Sequence, residues 1–275
     1  MSGSRRSPVP RPPGTLLLLV ALGMAAQCLS VPTLAQAPGI AADARKSGYA
    51  YMGRDTRAMQ DDELANPGML AVLEGEALWS RKPSDSAQSC AGCHGDARTS
   101  MRGVAARHPA FDARLSRPVN LEQRINECRV RHQQSPALPW ENRELLALST
   151  FVAHQSRGLP IAPPPDARLQ AHVEAGRATY HRRQGQLNLA CVQCHDGLAD
   201  RRLVGNPITQ GQATGYPIYR LEWQSVGSLQ RRLRNCMTGV RAEPFAYGSE
   251  EMVNLEAFLM QRARGMPMET PAVRP

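Results

Sequence analysis

The chain is 275 residues long, with 33 Lys and Arg against 24 Asp and Glu and a net charge of +9. At 42% hydrophobic and 21% charged, it is too apolar and too mixed in sign for a disordered chain. Its length allows one or two domains, and 22 glycines with 22 prolines predict many turns.

Residues 1–37 read as a secretory signal peptide. Arg5, Arg6 and Arg11 form a basic start, residues 15–26 (TLLLLVALGMAA) are an apolar run, and Ala35-Gln36-Ala37 supplies small residues at a cleavage spacing. The run is too short for a stable anchor, and no later apolar run reaches 18 residues, so no membrane span is expected. Export to the periplasm is the expected localisation. The remainder keeps 30 basic against 24 acidic residues, net +6. An exported basic chain rarely meets nucleic acid; anionic small molecules and an acidic protein partner suit it better.

Beyond Cys28, six cysteines remain: Cys90, Cys93, Cys128, Cys191, Cys194 and Cys236. An exported chain with six cysteines would ordinarily suggest three disulfides. The spacing argues otherwise. Cys90-Ala-Gly-Cys93-His94 and Cys191-Val-Gln-Cys194-His195 are both C-x-x-C-H, the attachment pattern of c-type haem. Two thiols, two residues apart on a turning backbone, reach the two vinyl groups of one haem. The following His then lies under the iron as axial ligand. A zinc site would need four clustered ligands, and the two motifs begin about a hundred residues apart. Two covalently bound c-type haems are therefore expected.

The chain also repeats itself with a period of about 101–108 residues. EGEALW (74–79) matches EAGRATY (174–180) ahead of each motif, and LEQRINECRV (121–130) matches LQRRLRNCMTGV (229–240). Residues 141–161 match 248–268. Each half reads as a helix, a haem turn, irregular loops, a short helix carrying one Cys, and an amphipathic helix. Leu145, Leu148, Phe151 and Val152 share a helical face, as do Met252, Leu255, Phe258 and Leu259. Few strand-like alternations appear. The expected fold is mostly α: two tandem cytochrome c-type domains at 38–158 and 166–275, joined by a stiff proline-rich linker at 159–165.

An electron-carrier cytochrome c commonly has Met as second axial ligand. No Met aligns between the repeats; Cys128 and Cys236 do, each four residues after an Arg (Arg124, Arg232). Three readings stay open for these cysteines: a Cys128–Cys236 disulfide, inert buried thiols, or a distal thiolate on each haem. Iron and a nearby Arg would both favour thiolate. His154, His172 and His181 are the alternative ligands, and they do not align.

The segment KSGYAYMGRDTRAMQDDELANPGMLAVLEGEALW (46–79), both haem motifs, RRLRNCMTGVRAEPFAYGSEEMVNLEAFL (231–259) and the ending MPMETPAVRP together resemble the SoxA family. These are dihaem subunits of the SoxAX cytochromes of bacterial sulfur oxidation. The resemblance implies His/Cys-ligated haems, pairing His94 with Cys128 and His195 with Cys236. It implies that Cys236 is the active-site residue, carrying sulfur as a persulfide, and that Arg232 binds substrate. It also implies a heterodimer with SoxX, a monohaem cytochrome. The reaction implied is oxidative transfer of thiosulfate to a cysteine of the carrier SoxYZ.

Arg234 and Arg241 are further cations able to meet a sulfonate, and Arg241 has no counterpart in the first repeat. Three rival functions remain: a dihaem thiosulfate dehydrogenase making tetrathionate, a non-enzymatic dihaem electron carrier, and a disulfide-stapled binding module.

Overall fold

The computed structural model describes residues 40–83 and 88–275, together with Gly3. The expected signal peptide at 1–37, Gly3 apart, lies outside the described residues. Residues 39–275 form one compact unit.

Helices α1 (Arg54–Asp61) and α2 (Met69–Ser80) lead to a one-turn helix α3 (Cys90–His94) holding the first motif, then α4 (Ala97–Ser100). A short antiparallel hairpin, β1 (Ala110–Asp112) with β2 (Arg117–Val119), feeds α5 (Leu121–His132), and α6 (Arg143–His154) closes the half. The second half repeats this order. It runs α7 (Ala167–His181), α8 (Cys191–His195) with the second motif, and the small hairpin of β3 (Arg202–Leu203) and β4 (Asn206–Pro207). The antiparallel pair β5 (Ile218–Arg220) and β6 (Ser225–Gly227) then leads into α9 (Leu229–Gly239) and α10 (Glu250–Arg262). A last strand, β7 (Ala272–Arg274), lies parallel on β5.

Local chemistry sets the helix starts. Asn120 caps α5 in a capping box with Gln123, and Ser228 caps α9 through Arg231 N–H. Asn142, Asp166 and Ser249 cap α6, α7 and α10 in the same manner. Each side-chain oxygen accepts an N–H that the first turn leaves without a helical partner.

Two helix crossings organise the core: α2 on α6, and α7 on α10. Each is possible because a glycine faces the partner backbone. A Cβ at Gly75 would lie 2.2 Å from the Ala147 carbonyl oxygen, and one at Gly176 would lie 2.0 Å from that of Asn254. The aromatic neighbours repeat as well, with Trp79 against Phe151 and Tyr180 against Phe258 at centroid separations of 5.9 and 5.2 Å.

The apolar cluster runs through both halves without a break, joining Phe151 and Val152 to Phe258, Leu259 and Met266. The 159–165 run is laid against 265–268: Ile161 N–H donates to Met266 O and Met268 N–H to Leu159 O, both at 2.9 Å. Ile161 is only 1% exposed.

Between the halves lies a buried pair of acids, Glu122 of α5 and Glu256 of α10, with Asn120 Nδ2 donating to Glu256 Oε1 at 3.3 Å. Desolvation pushes both carboxyls well above the ordinary value of 4.5, and the charge of Glu122 adds to the shift at Glu256. Such groups hold protons in the folded state that the unfolded chain gives up. Their contribution to stability is therefore present at low pH and is lost as pH rises through the raised values.

Two outcomes follow. The melting midpoint should fall from about pH 5 to about pH 9, and Glu256→Gln should flatten that slope. Gly176→Ala should cost at least about 2 kcal/mol, because the methyl group has only backbone to push against. A melt at wild-type temperature would show the two helices free to part.

Candidate functional site

The second motif sits at the foot of the α7/α10 crossing. Tyr180 of α7 donates its hydroxyl to Asp196 Oδ1 at 2.6 Å, one residue beyond His195, and Arg262 of α10 pairs with the same carboxylate. The first motif is tied in the equivalent way: Trp79 Nε1–H donates to Gly95 O at 3.0 Å, one residue beyond His94. Each one-turn helix is thus fastened to the aromatic residue of its helix pair.

His195 is held from two sides. Its Nδ1 lies 2.8 Å from Thr209 O. Gly211, at φ 67°, brings backbone against the ring, and a Cβ there would stand 3.0 Å from ring atoms. A left-handed φ suits glycine and also removes the atom that would strike the imidazole. The Cys236 thiol of α9 stands beside the His195 side chain, close enough for the ring to lower it. Cys191 and Cys236 lie close enough to act on each other electrostatically. An imidazole nitrogen and a thiol sulfur thus come together near Cys191 and Cys194, a donor set that would suit a covalently held haem with a His and a thiolate ligand.

The first site gathers Cys90, Cys93 and Cys128 more loosely. Gln133 Nε2 donates to Cys90 Sγ at 3.7 Å, and Cys128 of α5 lies within the electrostatic field of Cys93. His94 and Cys93 are exposed, and the His94 ring sits 5.7 Å from Trp79. All six cysteines are free, so Cys128 and Cys236 are not joined to each other. The alternative histidines are engaged elsewhere. His154 faces Glu63, His172 Nδ1 lies 3.0 Å from Asn254 Oδ1, and His181 packs edge-on against Tyr180.

The electrostatics differ between the two sites. At Cys128, burial dominates and raises the thiol despite Arg124. Cys191 is pushed up to about 11 by burial and by Cys236. At Cys236, burial also opposes charge, but the His195 ring and the Arg232 and Arg220 guanidiniums outweigh it and lower the thiol.

The arginines named from the sequence separate in role. Arg232 is half-buried, and its guanidinium makes no hydrogen bond or ion pair among the described residues. Arg234 is engaged: it donates to Phe245 O and lies 4.6 Å over the Tyr247 ring. Arg241 is exposed at φ 57°, just past the end of α9, and its carbonyl accepts from Gln186 N–H. Sequence reasoning missed Thr209, Gly211 and Arg220. The first two lie in a loop with no periodic signal; the third could have been found by carrying the repeat back through the hairpins.

Among the described residues no helix is long and apolar enough to cross a membrane. The family model described as SoxA/TsdA, cytochrome c domain, matches twice, at residues 74–161 and 175–268. The L-cysteine S-thiosulfotransferase subunit SoxA of Pseudaminobacter salicylatoxidans is 38% identical over 244 residues, 88% of this chain and 85% of the relative. The subunit of that name from Rhodovulum sulfidophilum is 34% identical over 232 residues, 84% of this chain and 81% of the relative. Among solved structures, SoxXA from P. pantotrophus matches with a TM-score of 0.81 at 28% identity, covering 84% of this chain and 87% of that one. A doubled domain, a preserved length and an agreeing fold lead to one conclusion: the chain belongs to the SoxA/TsdA cytochrome c family, among its SoxA subunits, and its cytochrome c fold carries covalently bound haem.

Proposed function

We propose that this chain is the catalytic SoxA-type subunit of an L-cysteine S-thiosulfotransferase. It works in the periplasm as a heterodimer with a SoxX-type monohaem cytochrome. It carries two haems, one in each of two domains at 38–158 and 166–275, joined through 159–165. Cys90 and Cys93 would hold the first covalently, with His94 and Cys128 to ligate its iron. Cys191 and Cys194 would hold the second, with His195 and Cys236. The observation that carries the reading is the approach of the Cys236 thiol to the His195 ring, beside an Arg232 that makes no ion pair with an acid among the described residues.

The reaction joins thiosulfate to a carrier cysteine: S2O3²⁻ + R–SH → R–S–S–SO3⁻ + H⁺ + 2 e⁻. One S–S bond forms, the thiol proton leaves, and two electrons must go to an acceptor. Haem, when bound, supplies one-electron redox chemistry for that purpose. Cys236 holds the sulfur group covalently between the two half-reactions, which divides one hard step into two. Thiol exchange then passes the group to a cysteine of the SoxYZ carrier. Arg232 binds the sulfonate end, because a guanidinium stays charged and offers paired donors to oxyanions. Arg241, exposed past the end of α9, adds positive charge that favours approach of the dianion. His195 Nδ1–H donates to Thr209 O, which fixes the ring orientation beside Cys236.

The test uses the haem-loaded heterodimer with thiosulfate and carrier. Cys236→Ala should reduce transfer by at least about 10³-fold, and Arg232→Ala should raise KM for thiosulfate by about 10- to 100-fold. Tetrathionate formed from thiosulfate alone, without carrier, would instead make the chain a thiosulfate dehydrogenase. Haem quantification should give two per chain. Low-temperature EPR of the oxidised protein should show two low-spin thiolate signals, one lost in Cys128→Ala and the other in Cys236→Ala.

A further inference from the structure

The two cysteines stand on one scaffold used twice. The hairpin β1–β2 with α5 recurs as β5–β6 with α9 at a constant offset of 108 residues, so Asp112 corresponds to Arg220, Arg124 to Arg232 and Cys128 to Cys236. Arg124 and Arg232 each lie one helical turn before their cysteine, on the same face.

In the first half this arginine is neutralised. Arg124 Nη2 lies 2.7 Å from Asp112 Oδ2, and Asp112 is only 6% exposed. Desolvation works against the Asp112 charge. The N–H groups of Leu115 and Arg114, together with Arg124, outweigh it and hold the carboxyl below its ordinary value. The acid is thus fixed and ionised, and it occupies the guanidinium that an incoming anion would need.

In the second half the sign is reversed. Arg220 stands at the end of β5 where Asp112 stands at the end of β1, so a cation takes the strand position that an acid holds in the first half. The repeat sets Arg220 opposite Arg232 as Asp112 is set opposite Arg124, and burial together with the charge of Arg232 works against its protonation. Arg220 is positioned by other groups. Its Nη2 lies 2.8 Å from Glu222, its Nε donates to Pro275 O at 2.7 Å, and its guanidinium lies 5.1 Å over the Trp223 ring. Glu222 is 62% exposed and so only weakly offsets the charge. Two converging cations, with no buried acid between them, leave an electrostatic deficit that a small dianion fills.

We propose that Arg220 and Arg232 form a two-guanidinium clamp for a sulfur oxoanion beside Cys236, and that Asp112 closes the equivalent position beside Cys128. Arg220 is a substrate-binding residue that the cysteine-helix motif does not contain. The exchange of Asp112 for Arg220 decides which of two otherwise similar cysteines receives substrate. This rests on the functional reading above, and it goes further by naming the second half of the binding site and the reason the first half has none.

The experiment uses the haem-loaded heterodimer and thiosulfate. Arg220→Gln should raise KM about tenfold while kcat stays within about twofold, because one charge-assisted contact is lost from binding. Arg220→Lys should recover part of the loss. Glu222→Gln removes the countercharge but keeps an amide oxygen to accept from Arg220 Nη2, so the guanidinium stays in place and KM should be at or below wild type. If Glu222→Gln instead raises KM as much as Arg220→Gln, hairpin integrity and not charge is the cause, and the clamp is overturned. Titration calorimetry with sulfite should give one site per chain in wild type, none in Arg220→Gln at the same concentrations, and a second, weaker site in Asp112→Asn. Two sites in wild type, or one site persisting in Arg220→Gln, overturns the proposal. A wild-type heterodimer with no thiosulfate transfer refutes the functional reading instead. Normal wild-type transfer with an unchanged KM in Arg220→Gln refutes the clamp alone.

Discussion

Everything near either cysteine motif depends on two helices being able to touch backbone to backbone. Gly75 and Gly176 permit that approach, and the aromatic residue one turn further on fills the wedge beside it. Trp79 and Tyr180 then use their single polar atoms to grip the residue after each histidine. A buried aromatic with one polar tip suits this task, since its ring fixes the place and its hydrogen bond fixes the direction. The placement of His94 and His195 is therefore a consequence of a glycine fifteen or more residues upstream.

Much of this was legible before any coordinates. The C-x-x-C-H motifs, the repeat, and the periodic faces of α6 and α10 are short-range patterns, and they appear where the sequence predicts them. The alignment of Cys128 with Cys236 held because both helices begin at a side-chain cap and then run unbroken to the cysteine. The hairpins escaped notice because strands of two or three residues carry no measurable alternation. The grip of Thr209 and Gly211 on His195 escaped for another reason: it depends on a loop folding back, and nothing local announces it. The buried pair of Glu122 and Glu256 was equally hidden, since acids are ordinarily assigned to the surface.

The halves share a scaffold but not an electrostatic state. Both cysteines sit one turn after an arginine, and both feel the penalty of burial. What separates them lies outside the helix: a carboxylate at the end of one hairpin, a guanidinium at the end of the other. Duplication preserved the geometry that holds a prosthetic group, while a change of charge at one hairpin end distinguished the copies. The charge at the hairpin end lies outside the cysteine motifs, and so it could change without disturbing them.

The rung between residues 158–162 and 265–268 carries a last implication. Because Ile161 is sealed into an apolar mass drawn from both copies, the run that connects them is itself part of the core. A substitution at Ile161 would therefore be felt on both sides at once, because its neighbours belong to both copies.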